Sequence, residues 1–441
     1  MSARHKADIF FLSLLYFWCI KMSRMLFTFG IITSIIVLAD TYFFFAIRSL
    51  IAGSSNYNLY KWLYIGSSVV ILSIFSGGYF MYLNGIHVAG AIRVTLQGIV
   101  FCLFVPKVLA IGIFAIDDLL RFFRWIFNYF SNSESSSGAE GISRLKFLQY
   151  TGLGVFGFFF SAFLYGIVRG AYDISVKRIP LKIKGLPKAL EGTTILQISD
   201  LHVGSFYSTN PLEEAVKIIN QQAADFVFFT GDLVNEIAEE AEDFVPILNK
   251  IEAKQGKFSI LGNHDYGDYY YHKEDPSFVQ QKLHNKELMK QHHQNAGFRL
   301  LLDEHVQFEL DGAKMAFIGI ENWGAKGRFP KYGKLDRAYR GSEECDLKLL
   351  LSHDPSHWDA QVRTEYPDID VTFSGHTHGM QFGIEIPGIK WSPVKYMYHQ
   401  WAGLYKEGEQ QLYVNRGLGF IGYPGRVGIL PEITVLELRS A

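Results

Sequence analysis

The chain has 441 residues, a formal net charge of −1, 49% hydrophobic residues and 15% aromatic residues. That length predicts more than one domain, and the near-neutral balance argues against broad nucleic-acid binding, which needs a basic face. The three cysteines, Cys19, Cys102 and Cys345, are too scattered for a disulfide framework or a CxxC zinc site, so they leave the compartment open.

The apolar excess lies before residue 170. Met25–Ile47, Trp62–Leu83, Val94–Ile116 and Phe147–Val168 are long apolar stretches, each near the length of about 20 residues that crosses a bilayer as a helix. They predict a helical transmembrane region over residues 1–170 with about four spans. Asp40 and Lys107 interrupt two of the stretches, and the expectation is that they snorkel or pair within the bundle. Ile9–Ile20 is too short to span. It reads either as an interfacial helix or as sequence ahead of a true start at Met22 or Met25, and no small-residue cleavage site follows it. Residues 131–138 (SNSESSSG) read as a flexible loop between the third and fourth spans.

Orientation follows from Lys and Arg in the short loops. With the C-terminal half outside, the inner loops hold Arg48, Lys61, Arg121, Arg124, Arg144 and Lys146. Arg93 and the N-terminal Arg4, Lys6, Lys21 and Arg24 fall outside, and most of that counterweight vanishes if the chain starts at Met22. Arg169, Lys177 and Arg178 argue the other way. The balance favours a cell-membrane protein with an exocytoplasmic C-terminal domain.

Residues 171–441 alternate strand and helix patterns, which predicts an α/β domain with a largely parallel central sheet. Ile174–Ile183 reads as a strand, Pro211–Gln222 as a helix with Pro at its start, and Ala238–Ile251 as another helix. Gln411–Val414 and Ile433–Leu438 read as strands of a second, antiparallel-containing sheet. Five short apolar runs end in metal-ligand residue types: Ile195–Ser199 before Asp200 and His202, Phe226–Thr230 before Asp232, Phe258–Leu261 before Asn263, Leu347–Ser352 before His353, and Val371–Ser374 before His376 and His378. Ligands of α/β sheets bind outside the strand carboxyl ends, so the pattern predicts both a fold and a metal site.

The residue types suit two ions. Asp200 and His202, and likewise His376 and His378, are two apart and would share a face on a regular strand. Asp232 is the natural bridge between ions, and Asn263 adds an amide oxygen without adding charge. A mixed set of nitrogen and oxygen donors favours Mn, Fe, Zn or similar divalent transition metals over Mg or Ca. Two such ions outweigh Asp200 and Asp232 in charge, so the site stays positive, which suits a phosphate ester and a metal-bound hydroxide. His264, beside Asn263, could steady the phosphoryl group or protonate the leaving oxygen, with Asp265 holding its other ring nitrogen.

Taken in order, Asp-x-His, Gly-Asp, Gly-Asn-His-Asp, a lone His and Gly-His-x-His resemble the calcineurin-like metallophosphoesterases over residues 172–441, with no ligand substituted. With several spans ahead of it, the layout resembles the transmembrane branch of that superfamily. The resemblance implies a two-sheet αββα sandwich. It also implies one metal on Asp200, His202 and His378, a second on Asn263, His353 and His376, Asp232 bridging them, and His264 with Asp265 as the catalytic pair. It further implies similarity to bacterial lipid-A-pathway enzymes that hydrolyse UDP-2,3-diacylglucosamine.

The function expected is therefore a membrane-anchored hydrolase of a phosphodiester or pyrophosphate, on a lipid-linked or nucleotide substrate, without a covalent enzyme intermediate. The alternatives are a phosphomonoesterase or phosphoprotein phosphatase, and a non-catalytic membrane scaffold on a phosphoesterase fold. The Tyr266, Tyr269, Tyr270, Tyr271 and His272 run reads equally as a substrate pocket or a packed loop. His284, His292 and His293 read as solvated, Trp391, Tyr396, Tyr398 and Trp401 as core in preference to a membrane-interface cluster, and Arg416 as either a phosphate contact or a turn residue.

Overall fold

The computed structural model describes residues 3–84, 86, 88, 90–131, 144–327 and 329–441. The expected flexible loop, residues 131–138, lies outside the described residues except for Ser131. Two compact units emerge: Met1–Ala89 with Gly98–Ala162, and Gly90–Gln97 with Phe163–Ala441.

The first unit is helical. The helices are α1 (Ala3–Ile51), α2 (Tyr57–Leu83), α3 (Gly90–Ser131) and α4 (Arg144–Val168). Each is long and apolar enough to cross a membrane. The segment 9–20 belongs to α1 rather than to a separate helix. Asp40 and Lys107 pair as expected: Lys107 Nζ lies 2.6 Å from Asp40 Oδ1, and both residues are buried. Ser68 Oγ also donates to Asp40, and Tyr64 OH donates to the Asp40 carbonyl at 2.6 Å. Gln149 of α4 donates to the Ala46 carbonyl at 2.6 Å and to Ser49 Oγ at 2.7 Å. Such bonds join spans where no water competes for the polar groups.

The second unit carries two six-stranded sheets, as the two-sheet expectation requires. Its strands in chain order are β1 (Ser175–Ile183), β2 (Thr194–Ile198), β3 (Phe226–Phe229), β4 (Gly256–Ser259) and β5 (Arg299–Leu300). Then follow β6 (Glu304–Leu310), β7 (Ala313–Gly319), β8 (Leu347–Leu351), β9 (Val371–Ser374) and the hairpin β10 (Ile384–Ile386) and β11 (Ile389–Trp391). The last are β12 (Gly403–Glu407), β13 (Gln410–Val414) and β14 (Glu432–Ser440). One sheet has the order β1-β14-β2-β3-β4-β5, the other β12-β13-β9-β8-β7-β6. Both are mixed, since β14 runs antiparallel to β2, and β12 and β6 run antiparallel to their neighbours. The two C-terminal strands foreseen in one sheet, β13 and β14, fall in different sheets.

Side-chain alternation explains the layering. Phe226, Phe228, Phe317, Leu349, Leu351, Phe373 and Tyr413 meet between the sheets. The opposite faces bury Val227 and Phe229 in one outer layer and Ala316, Ile318, Leu350, Leu412 and Val414 in the other. Helix α5 (Asn210–Asn220) and the helix Phe278–Asn295 cover the first sheet, giving an αββα sandwich. The expected helix over Ala238–Ile251 is two short turns, Ala238–Ala241 and Val245–Leu248, the second holding Pro246 in its first turn. His292 and His293 are buried, not solvated, because they share the inward face of their helix with Asn285 and Met289; His284 is exposed.

Candidate metal centre

The parallel strands β2, β3, β4, β8 and β9 end at one edge of the sandwich, and each hands its chain to a short loop. Those loops hold one another. Asp200 N donates to Gly231 O at 2.9 Å, Val203 N to Leu233 O at 2.9 Å, and Gly375 N to His353 O at 2.9 Å. Buried Gln197 ties β2 to the neighbouring loop and the other sheet through Thr230 Oγ1 and Ser374 O, both at 3.0 Å. Gly231 has φ +95°, and a Cβ at Gly375 would strike Ser199 Oγ and the Asp200 carboxylate. The loops therefore need glycine to come this close.

Asp200 with His202, and His376 with His378, do not share a strand face, since β2 ends at Ile198 and β9 at Ser374. Instead Asp200, His202, Asp232, His376 and His378 all adopt left-handed backbone, with φ between 46° and 71°. Such a conformation costs a side-chain-bearing residue about 1–3 kcal/mol, and it clusters where function demands it.

The predicted residues converge. Asp200, His202 and His378 form one group, Asp232, His353 and His376 a second, and His202, Asp232 and His264 a third, with the donor atoms of each group within 4.8 Å of one another. His378 Nε2 lies 3.4 Å from Asp200 Oδ1 and 3.1 Å from His202 Nε2. Asp232 Oδ2 stands between the groups, 3.6 Å from His202 Nε2 and 3.0 Å from His353 Nε2. Asn263 gives its amide N–H to Tyr269 OH at 2.9 Å, which leaves Oδ1 facing His376 Nδ1 at 2.8 Å.

The hydrogen bonds around this cluster test whether it fits a cation. His202 Nδ1 faces the Val234 carbonyl at 3.1 Å, and His353 Nδ1 faces the Thr230 carbonyl at 2.7 Å. A carbonyl only accepts, so each Nδ1 carries the proton and each Nε2 of a neutral ring presents a lone pair. Those lone pairs point at the Asp232 carboxylate, 3.6 Å from His202 Nε2 and 3.0 Å from buried His353 Nε2. Acceptors opposed to acceptors in a dry pocket call for a positive charge between them.

The electrostatics agree. Burial pushes Asp200 up to about 7 and His202 down to about 3. Burial also works against ionising Asp232, but His353 and His264 outweigh it and hold the carboxyl well below its usual range. His353 is pushed up to about 10: burial opposes this, and the Asp232 carboxylate prevails. Protein alone thus neutralises the bridge with a proton on His353, the proton a metal would displace.

Asp265 is placed differently from expectation. It does not touch the His264 ring, whose Nδ1 meets the Asn235 carbonyl at 2.6 Å. The Asp265 carboxylate accepts instead from the backbone of Gly262 (2.8 Å), Asp232 (2.9 Å), Leu233 (2.8 Å) and Val234 (3.3 Å). It is a clamp on the Asp232 loop. Arg416 is buried in ion pairs with Glu432 and, at 2.6 Å, Glu385, so it is a structural residue and not a phosphate contact. In the tyrosine run, Tyr266 is core, while Tyr269 lies against the His264 ring at 4.5 Å. Of the later aromatic cluster, Tyr398 and Trp401 are buried and Tyr396 is exposed.

Three neighbours were not foreseen at the site: Arg426, Asp354, and Tyr398, which reads from the sequence as core. Tyr398 OH lies 3.0 Å from His376 Nε2 and 3.4 Å from Asp354 Oδ2. Arg426 is 1% exposed, is held by the carbonyls of Arg416, Gly417 and Gly419, and reaches His378 Nδ1 at 3.3 Å. Asp354 follows His353 directly, the one local signal among the three.

A two-sheet α/β sandwich with this donor set at its joined strand ends, behind four apolar helices, defines a metal-dependent phosphoester hydrolase on a multi-pass membrane anchor. The family model "Calcineurin-like phosphoesterase" matches residues 193–380, and "Probable Calcineurin-like phosphoesterase, transmembrane domain" matches residues 23–171. An uncharacterized metallophosphoesterase of Bacillus subtilis, YkuE, is 30% identical over 68% of this chain and 98% of its own length. A zebrafish (Danio rerio) transmembrane protein with metallophosphoesterase domain is 27% identical over 73% of this chain and 71% of its own. The phosphodiesterase YaeI of Escherichia coli is 26% identical over 55% of this chain and 81% of its own. The chain belongs to the calcineurin-like metallophosphoesterases, with the transmembrane domain of that family ahead of the catalytic one.

Proposed function

We propose that residues 171–441 hydrolyse a phosphodiester or pyrophosphate bond of a lipid-linked or nucleotide substrate such as UDP-2,3-diacylglucosamine, at two divalent transition-metal ions, and that residues 1–170 anchor this domain on the exocytoplasmic side. The observation that carries the reading is the pair of donor groups meeting at Asp232. Asp200, His202 and His378 would hold one ion, Asn263, His353 and His376 the other, and Asp232 would bridge them. When bound, the ions supply Lewis acidity, acidifying water and stabilising the attacking and leaving oxygens.

The chain's own residues do the rest. Val234 and Thr230 fix the tautomers of His202 and His353 through their carbonyls. Asp265 holds the loop that presents Asp232. His264 donates Nδ1–H to the Asn235 carbonyl, and in its doubly protonated form the ring would pass the Nε2 proton to the leaving oxygen and become the neutral Nδ1–H imidazole. The phosphodiesterase YaeI supports the diester choice, and four spans support a lipid-linked substrate.

The test is a metal-reconstituted assay of the full chain with bis-p-nitrophenyl phosphate, p-nitrophenyl phosphate and UDP-2,3-diacylglucosamine. Diester or pyrophosphate cleavage, with oxygen-18 from water appearing directly in product, is expected. A preference for the monoester, or a trapped phosphoenzyme, would overturn the reading. Retention of function by Asp232→Ala would point instead to a scaffold.

A further inference from the structure

The hairpin β10–β11 begins six residues after His378 and has two unlike faces. Its cross-strand pairs are Ile384 with Trp391, Glu385 with Lys390, and Ile386 with Ile389. Ile384, Ile386 and Ile389 therefore share one face with Trp391, and they are 48%, 55% and 53% exposed. The polar face turns to the domain. Glu385 pairs with buried Arg416 at 2.6 Å, and Lys390 Nζ donates to the Ala402 carbonyl. The outward face of this small ribbon is thus its apolar one, the reverse of what a surface in water requires.

Its neighbours show what lies beyond that face. Gly383 N donates to the Val427 carbonyl at 2.9 Å, and Val427 N to the Gln381 carbonyl at 2.8 Å. That same strip meets the last turns of α4: Arg426 N donates to Gly166 O at 3.1 Å, and Tyr423 OH donates to Phe163 O. The Phe163 ring packs on Phe382, the residue two before the hairpin, with centroids 5.8 Å apart. Phe163 and Gly166 lie inside a helix long and apolar enough to span the bilayer, five and two residues from its end at Val168. At about 1.5 Å per residue, the hairpin base is level with the last ~8 Å of that helix.

The other membrane element in this unit tells the same story. Val94, near the start of α3, is buried in the domain's core, and Arg93 pairs with Glu236. Gly90 packs so tightly on the Gly204 carbonyl that a Cβ there would collide with it. Gly204 is two residues from His202, and Glu236 next to Asn235, whose carbonyl holds His264. The loops that carry the site therefore rest on the ends of two spans.

We propose that the apolar face of β10–β11 is seated in the interfacial layer of the bilayer the chain itself spans, so that the site opens along the membrane plane and takes an amphiphile whose phosphate headgroup arrives laterally. This rests on the hydrolase reading above and narrows its substrate to a molecule that resides in the membrane. Trp391 on the same face suits that layer, where indole rings are favoured.

The test uses the full chain in phosphatidylethanolamine/phosphatidylglycerol nanodiscs. A spin label is placed at Ile386→Cys, with Glu409→Cys on the exposed β12–β13 turn as control, both after the native cysteines are changed to alanine. The label at 386 should collide with membrane-dissolved oxygen and be shielded from an aqueous nickel chelate, and the label at 409 should show the opposite. Equal access of the chelate to both, or dipolar broadening at 386 from a second copy, overturns the seat.

The Ile384→Asp/Ile386→Asp variant adds a functional arm. It should turn over UDP-2,3-diacylglucosamine in nanodiscs about tenfold more slowly, given the apolar area withdrawn from the interface. Its hydrolysis of soluble bis-p-nitrophenyl phosphate should stay at the wild-type level. Unchanged turnover of both substrates counts against lateral delivery. Absence of hydrolysis in the wild type removes the hydrolase reading alone, because the spin labels decide the seat without any turnover.

Discussion

Asp265→Asn separates two accounts of the residue after His264. The Asp265 carboxylate takes two backbone N–H groups on each oxygen: Leu233 and Val234 on Oδ1, Gly262 and Asp232 on Oδ2. An asparagine of the same shape must turn its NH2 toward one of these pairs, so two buried donors lose their acceptor and face another donor. Each buried group left unsatisfied costs about 1–3 kcal/mol, so the variant should lose about 2–6 kcal/mol. That is a large share of a native stability of about 5–15 kcal/mol, and it should lower Tm by at least about 4 °C. The freed loop carries Asp232, so metal content should fall with stability. His264→Ala makes the contrast. Its ring hydrogen-bonds the Asn235 carbonyl and packs on neighbouring rings, and it is not one of the seven proposed metal donors, so metal content and Tm should hold while turnover drops about 10²–10⁴-fold. The assays are metal content by mass spectrometry, tryptophan-monitored melting and bis-p-nitrophenyl phosphate turnover on each purified full-length variant. If Asp265→Asn keeps its Tm and both metals and loses only turnover, as His264→Ala should, the clamp is wrong and Asp265 acts with the histidine.

Three further outcomes follow from the same geometry. Tyr398→Phe removes the hydroxyl between His376 Nε2 and Asp354, so the affinity for one metal of the two should fall about 10–100-fold, read as metal content under limiting metal; equal loss at both sites would contradict it. Lys107→Ala leaves Asp40 buried and unpaired among the spans and should cost about 3–5 kcal/mol in detergent unfolding, with Asp40→Leu/Lys107→Met recovering most of it; additive losses would show that the pair is uncoupled. His293 is held down to about 3 by burial, below its unfolded value near 6.5, so the unfolded chain takes up the proton first. Its contribution is intact above pH 6.5 and is lost at up to about 1.4 kcal/mol per pH unit as pH falls from there toward 3. Urea melts at pH 5 and 7.5 should show a smaller acid loss for His293→Gln than for the wild type, and an equal loss would exclude His293 as the cause.

The candidate donor residues stood out in the sequence because two local signals coincide at each. A β-branched or aromatic run announces a strand, and Asp, His or Asn just past it falls where parallel strands end. What the runs could not announce was how the side chains turn inward. Asp200, His202, Asp232, His376 and His378 do so through left-handed backbone, which Asp and His adopt more readily than most residues but still too rarely to be foretold at a given position. Pairing across long separations was equally hidden. β14 inserts between β1 and β2 from the far end of the chain, while β13 joins the other sheet, so the two C-terminal strands part. Helix Phe278–Asn295 reads as solvated because its inward face holds three polar residues, Asn285, His292 and His293, beside the single apolar Met289. Tyr398 and Arg426 come from loops with no periodic pattern, so only the folded chain brings them to the histidines.

The central claim is that Asp232 joins two metal ions into one hydrolytic site. Its most direct measurement is metal stoichiometry alongside bis-p-nitrophenyl phosphate turnover, for full-length wild type and Asp232→Ala, before and after chelation and reconstitution with Mn, Fe or Zn. The wild type should bind two ions per chain, lose turnover on chelation and regain it with metal, whereas Asp232→Ala should bind fewer and not recover. Wild-type turnover that survives chelation, or an Asp232→Ala protein that keeps both ions and full activity, would contradict the account.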